Sequence, residues 1–343
     1  LSVQILIGDC RERLRELPDA SVNCCVTSPP YFGLRDYGVD GQMGLEPTPD
    51  EFVAGMVEVF REVRRVLRDD GTLWLNIGDS YANDGKWGGH TGGKHAKALH
   101  CSPIGRQKRY TGLKPKDLIG IPWMLAFALR ADGWFLRQEI IWAKPNPMPE
   151  SVRDRCTKSH EQIFLLSKSK SYHYDAASIA EPVTASTVAR LGQATLEEQA
   201  GSNRVPGKTN GPMKAKPPRF GGEKYGDIGD GGANDKTRTK SGNAYTGGEG
   251  KANKRSVWIV PTQPFSEAHF ATFPPALIEP CILAGCPKGG TILDPFFGAG
   301  TTGLVADRLH RDCIGIELNP EYAALAQRRI EGDARLFAQV RAA

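Results

Sequence analysis

Eight short apolar runs bounded by turn residues, at 3–7, 22–27, 72–77, 138–143, 162–167, 256–260, 290–294 and 312–317, limit the fold of this 343-residue chain more than any other feature. Each is only a few residues long and reads as a buried strand. Between several of them lie helical patterns, at 50–68, 118–131, 274–285, 302–309 and 320–331. In the first, Phe52, Met56, Val59, Phe60, Val63, Val66 and Leu67 recur at helical spacing, with Asp50 as the expected cap and Gly71 as the expected stop. Strand alternating with helix specifies an α/β fold, a largely parallel sheet covered on both faces.

Two stretches break the alternation, and they hold the charge. The formal net charge of +5 averages segments of opposite character. Residues 84–117 carry eight Lys or Arg, among them Lys86, Lys108 and Arg109, against Asp84 and Asp117 alone. Residues 182–255 carry 13 Lys or Arg, among them Lys214, Lys216 and Arg219, against 7 Asp or Glu, and 201–250 hold 13 of the 39 glycines. The rest of the chain is acidic, so basic Gly-rich insertions stand on an acidic body, the pattern expected for a polyanion partner. Segments this poor in apolar residues cannot offset the entropy of ordering, so mobile loops that settle on a partner are expected over 82–117 and through the later insertion.

No apolar run approaches the roughly 18–20 residues of a membrane helix, and no leader pattern opens the chain. Eight cysteines, two of them adjacent at Cys24 and Cys25, fit reduced thiols, so a cytoplasmic protein is expected. His90, His95, His100 and Cys101 lack the spacing of a metal site, and no metal is expected.

Residues 291–303, TILDPFFGAGTTG, read as a strand, a glycine turn and a helix start. Gly298 and Gly300 let backbone approach a ligand, and Thr301 and Thr302 open a helix whose free amides face it. Seventeen residues beyond Gly300, Glu317 ends the next strand, where a carboxylate can accept both hydroxyls of a ribose. Gly298, Gly300 and Gly303 also satisfy G-x-G-x-x-G, which keeps a nicotinamide oxidoreductase in play. Against that reading, Asp294 directly before the turn suits a charged amino-acid group and repels a pyrophosphate. Some forty residues after the turn are also too few for the remaining strands of a dinucleotide fold unless it is permuted.

Val26-Thr27-Ser28-Pro29-Pro30-Tyr31 follows the second strand. The paired prolines fix an extended backbone without donors and leave carbonyls free to accept. Ser28 Oγ and the Pro29 carbonyl can take the protons of an exocyclic amine, drawing its nitrogen out of conjugation, while Tyr31 stacks on the ring.

With these two turns in this order the chain resembles the amino-group DNA methyltransferases that use S-adenosylmethionine, in the permuted arrangement called the beta group. Thr27 to Tyr31 matches the family's catalytic motif, with Ser28, Pro29, Pro30 and Tyr31 in the catalytic positions. Asp294 to Thr302, including Phe296, matches its methionine-side cofactor loop, and Cys313 to Tyr322 its ribose-binding strand end. The segment 269–274, with Phe270, resembles the stretch flanking the methionine moiety, and Asp9 resembles the acid that meets the adenine amine. The resemblance implies a permuted Rossmann-like sheet of seven strands, one antiparallel. It divides the chain into a catalytic half (1–181), a target recognition region (182–255) and a cofactor half (256–343).

The same resemblance implies double-stranded DNA as partner. A cognate restriction endonuclease, a phage's self-protection and an orphan regulatory mark all require this chemistry and stay open. One flipped base per event makes a monomer sufficient, so a monomer or weak dimer is expected. In the family it resembles, serine before Pro-Pro commonly goes with N4 of cytosine and Asp or Asn with N6 of adenine, so the resemblance favours N4 of cytosine and keeps N6 of adenine as the alternative. Carbon-5 methylation would need a cysteine nucleophile in a Pro-Cys context, and only Cys286-Pro287 occurs. Phosphate contacts are expected from Lys86, Lys108, Arg109, Lys214, Lys216 and Arg219, and from Arg35 unless it pairs with Asp36, while Lys144 or Asn146, after the fourth strand, either faces DNA beside the base pocket or forms a structural edge. A DNA-binding module with a relict cofactor pocket is the alternative from another class.

Overall fold

The computed structural model describes residues 2–33, 38–82, 111–191, 251–263, 272–333 and 339–342. The chain divides into two units, residues 1–175 with 256–343, and residues 176–255.

The first unit carries nine of the described strands. They are β1 (Ser2–Ile7), β2 (Val22–Thr27), β3 (Leu67–Ile77), β4 (Phe135–Ala143), β5 (His160–Ser167), β8 (Val257–Ile259), β9 (Thr291–Asp294), β10 (Asp312–Glu317) and β11 (Gln339–Ala342). All nine join one sheet, ordered β11-β1-β10-β9-β2-β3-β5-β4-β8. Every neighbouring pair is parallel except β3 with β5 and β4 with β5, so β5 alone runs against the rest. The eight apolar runs all become strands. The seven-stranded sheet implied by the resemblance is therefore corrected to nine, because β8 and the late strand β11 extend its two edges.

The helices are α1 (Cys10–Glu16), α2 (Pro49–Val66), α3 (Ile121–Ala131), α5 (Pro275–Gly285), α6 (Thr301–Arg308) and α7 (Pro320–Asp333). Helices α1, α2 and α3 pack in series over one face, and α5, α6 and α7 do so over the other. Helix α2 shows how the sequence sets its limits. Its cap is Thr48, not Asp50: Glu51 N donates to Thr48 Oγ1 at 3.2 Å and Thr48 N donates to Glu51 Oε2 at 3.3 Å, a reciprocal box with Pro49 in the first turn. Phe52, Met56, Val59, Phe60, Val63 and Val66 then form a fully buried stripe. The helix stops at Leu67, which turns extended and opens β3, so Gly71 lies inside that strand and not at a helix end.

In the sheet order the connection β9-α6-β10 steps one way and β2-α2-β3 the other. The order reverses between β9 and β2, which opens a crevice at the carboxyl ends of those two strands. The second unit contributes β6 (Glu181–Pro182) paired antiparallel with β7 (Lys251–Ala252), and α4 (Ala185–Leu191). Arg255 pairs there with Glu181.

Burial decides cysteine chemistry. Among the described cysteines none is bridged, and only Cys156 is exposed. Burial pushes the thiols of Cys10 and Cys286 up to about 12, and those of Cys24, Cys25 and Cys313 well up. Iodoacetamide at neutral pH will therefore label Cys156 in the native protein and reach those five only after denaturation, as peptide mass mapping can read. No helix among the described residues is long and apolar enough to cross a membrane.

Candidate active site

The two turns picked out by the sequence meet in the crevice. A cavity of about 210 Å³ is lined by Ser28, Pro29, Pro30 and Tyr31 from the end of β2, and by Phe296, Gly298, Ala299 and Thr301 from the end of β9. Asp9 after β1 and Glu317 at the end of β10 complete the row of strand ends.

The glycine turn is shaped by its neighbours. Gly298 and Gly300 hold φ of +53° and +74°, left-handed values that glycine adopts without strain. A Cβ at Gly300 would also stand 2.7 Å from the Ala326 Cβ. Phe297 is buried with its ring over Gly315, where a Cβ would come within 2.3 Å of it, so the strand glycine makes room for the turn's aromatic. Gly300 caps α6, and Thr302 is wholly buried. Neither lines the cavity, so these two expected ligand contacts shape the turn instead.

Glu317 lies where a diol can meet it. Its Oε2 accepts from Gly298 N at 2.7 Å and its Oε1 from Asn319 N at 2.8 Å, so two amides orient the carboxylate of a residue that lines the cavity. Burial pushes its pKa up, and the Asn319 and Gly298 amides oppose the shift.

Asp294 is placed otherwise than expected. It is 1% exposed and does not line the cavity. Its Oδ1 accepts from Thr27 Oγ1 at 2.6 Å and from Phe296 N at 3.1 Å, and its Oδ2 from Thr302 Oγ1 at 2.6 Å. The expectation that it holds a charged amino-acid group is corrected: it braces the two turns against each other from behind. Burial raises its pKa from the ordinary 3.8 to about 6, against the hydrogen bonds from Thr27, Thr302 and Phe296. The folded chain thus binds this proton more tightly than the unfolded chain. Stability from Asp294 is full below about pH 4 and is lost as pH rises through about 6. Urea unfolding across that window will show wild type losing stability relative to Asp294→Asn as pH rises.

Asp9 caps α1 through a bond from Arg11 N at 2.8 Å, and the Arg11 guanidinium spans both its oxygens. Burial works to raise its pKa, but the Arg11 hydrogen bonds and charge prevail and hold it low. Asp9 lines the cavity with its carboxylate already paired to Arg11.

Lys144, expected to face DNA or to form a structural edge, meets two residues of the sheet. Its ammonium pairs closely with Glu161 and lies 4.2 Å from the Trp142 ring centroid, with 17% of the side chain exposed. Its ammonium is turned toward Glu161 and the Trp142 ring. Asn146, from the same segment, bonds Thr262 N at 2.9 Å through Oδ1 and Thr262 O at 3.2 Å through Nδ2. Asp79, at the end of β3, accepts from Gly120 N and Ile121 N at 3.0 and 3.1 Å and so anchors the start of α3.

Arg35, Lys86, Lys108, Arg109, Lys214, Lys216, Arg219 and Phe270 lie outside the described residues. Thr272 and Phe273, from the segment of Phe270, do line the cavity. So do Asn319 and Tyr322 at the start of α7, inside the 313–322 stretch that the resemblance marked, and Met43 with Gln42 between β2 and α2, which sequence reasoning did not single out. Phe273 and Tyr322 both lie inside the stretches that the resemblance marked, 269–274 and 313–322. The 39–43 loop offered no such signal. Among the described residues no cluster of His, Cys, Asp or Glu can hold a metal.

A family model described as DNA methylase matches residues 22–328. The chain is 44% identical over 330 residues to the Type II methyltransferase M.SmaI of Serratia marcescens, covering 96% of this chain and 91% of that protein. It is 43% identical to the Type II methyltransferase M.Cfr9I of Citrobacter freundii, over 95% of this chain and 87% of that one. Among solved structures it is similar in fold to the PvuII DNA methyltransferase (cytosine-N4-specific), with a TM-score of 0.58 and 18% identity over 96% of this chain and 86% of that one. It is also similar in fold to a Thermus thermophilus protein complexed with S-adenosyl-L-methionine, with a TM-score of 0.54 and 21% identity over 99% of each chain.

Proposed function

The chain belongs to the N6/N4 family of DNA methylases, and from that premise we propose that it transfers a methyl group from S-adenosylmethionine to N4 of a cytosine flipped out of double-stranded DNA. The observation that carries this reading is the shared cavity. A Ser-Pro-Pro-Tyr turn and a glycine turn with its ribose-type acid open side by side at the ends of adjacent strands.

The residues fit the cofactor. Glu317 is oriented to accept two vicinal hydroxyls, Gly298 and Ala299 bring backbone close, and Phe296, Phe273 and Tyr322 supply apolar walls. Asp9 stands at the next strand end, and its Arg11 partner must share it with any adenine amine. S-adenosylmethionine, when bound, supplies an electrophilic methyl group on a sulfonium.

Ser28 and the Pro29 carbonyl act on the base. Both are acceptors at the cavity wall, so each can take one N–H of an exocyclic amine and localise the lone pair on nitrogen. The Pro29-Pro30 backbone is rigid, so this geometry is set before the base arrives. Tyr31 gives the ring an aromatic wall. The base must leave the stack, because its amine is otherwise engaged in pairing. Serine at position 28, where adenine enzymes of this kind commonly carry Asp or Asn, favours cytosine over the alternative, N6 of adenine.

The basic segments 84–117 and 182–255 are assigned to phosphate contact and target recognition, and a cognate restriction endonuclease reading the same site is the expected partner. If several phosphates are neutralised, log K for DNA falls linearly with log salt at about −0.9 per phosphate, which fluorescence anisotropy can read. The reading is tested by incubating the protein with unmethylated bacterial DNA and methyl-labelled S-adenosylmethionine. Acid-precipitable label in DNA supports it, whereas saturable cofactor binding with unlabelled DNA favours the relict-pocket module instead.

A further inference from the structure

Behind the Ser-Pro-Pro-Tyr turn lies a polar cluster that the proposed chemistry does not use. Glu161, near the start of β5, is 15% exposed at its side chain. Three donors converge on its carboxylate. Tyr31 Oη donates to Oε2 at 2.7 Å, Asn76 Nδ2 donates to the same oxygen at 3.3 Å, and Lys144 Nζ pairs closely with Oε1. Asn76 is itself held by the Gln162 carbonyl at 3.1 Å, and Glu161 sits opposite Trp142 in the β4–β5 ladder. The Tyr31 ring is fitted against Gly78, where a Cβ would stand 2.5 Å from Tyr31 Cε2. Neither Glu161 nor Lys144 nor Asn76 lines the cavity, whereas Tyr31 does.

A carboxylate this covered costs stability unless it is matched, and here it is matched by an ammonium, an amide and one phenol of the catalytic turn. We propose that Glu161 is a positioning residue for methyl transfer: by holding the Tyr31 hydroxyl it fixes the aromatic wall against which the flipped base is seated, with Lys144 neutralising its charge and Gly78 leaving room for the ring. The antiparallel strand β5 thus serves the site by delivering this acid from behind. The proposal rests on the base-methylation reading above. An aromatic wall free to swing would leave the amine off line with its acceptors, an error that lowers the rate of transfer and not cofactor affinity.

The test is a double-mutant cycle on the full-length protein with Glu161→Gln, which keeps the shape, and Tyr31→Phe, which removes only the hydroxyl. Each alone will lower kcat by roughly 10- to 100-fold, with the Kd for S-adenosylmethionine within about twofold of wild type, and the double variant will fall no further than the worse single one. In parallel, protein labelled with 3-fluorotyrosine, its Tyr31 fluorine resonance assigned by loss in Tyr31→Phe, will show that resonance moved in Glu161→Gln. Unchanged kcat in Glu161→Gln, losses that multiply in the double variant, or an unmoved Tyr31 resonance would each overturn the proposal. Should Glu161→Gln fail to fold, a Tyr31→Phe enzyme with wild-type kcat overturns it equally. Wild type that transfers no label to DNA refutes the methylation reading instead, and the resonance then decides alone whether Glu161 holds Tyr31.

Discussion

Ser28→Ala will bind S-adenosylmethionine and DNA as wild type does and will transfer methyl groups on the order of 10²- to 10⁴-fold more slowly. The serine stands on the cavity wall directly after Thr27, whose hydroxyl is tied to Asp294, so removing one oxygen from position 28 leaves that brace untouched. The loss therefore falls on kcat, because the hydroxyl accepts from the amine most strongly as the nitrogen gains positive charge in the transition state. Single-turnover transfer and equilibrium binding on the same preparation separate the two effects. A variant with wild-type kcat would remove Ser28 from the chemistry, and one that no longer binds cofactor would make it structural.

Glu317→Ala will lose S-adenosylmethionine affinity by about a hundredfold or more. Two charge-assisted hydrogen bonds to a ribose are worth roughly 1.5–3 kcal/mol each, and about 1.4 kcal/mol is a factor of ten. The truncation also strips the Gly298 and Asn319 amides of their acceptor, so the glycine turn loses the contact that ties it to β10. Glu317→Gln will lose less, since its amide oxygen still serves one of the two. Isothermal titration with S-adenosylmethionine and with S-adenosylhomocysteine reads both variants. Equal losses for the two ligands are expected, because the ribose is common to them. Full affinity in Glu317→Ala would show that the acid only braces the turn.

Much of this architecture was legible in the residues. Period and turn residues found the first eight strands of the main sheet, because buried parallel strands are short apolar runs between breakers. The Ser-Pro-Pro-Tyr and glycine turns were legible because proline and glycine act on the backbone directly. Direction was not legible. Asp294 and Glu317 both end strands beside the crevice, yet one points between the two turns and the other toward the cavity, a difference set by the pleat and the neighbouring strand. Lys144 read as a surface cation for a similar reason. Its partner Glu161 comes from a strand whose antiparallel pairing cannot be seen in either residue alone. The 39–43 loop lines the cavity through its position after the catalytic turn, which no local signal marks.

The central claim is that the two turns act together on an exocyclic amine, and the most direct measurement of it is the identity of the product. Unmethylated genomic DNA incubated with the purified protein and methyl-labelled S-adenosylmethionine, digested to nucleosides and resolved by mass spectrometry, will yield labelled N4-methylcytosine. Labelled N6-methyladenine would keep the chemistry and reverse the choice of base. Label on carbon 5 of cytosine, or no labelled nucleoside beside demonstrated cofactor binding, would contradict the account.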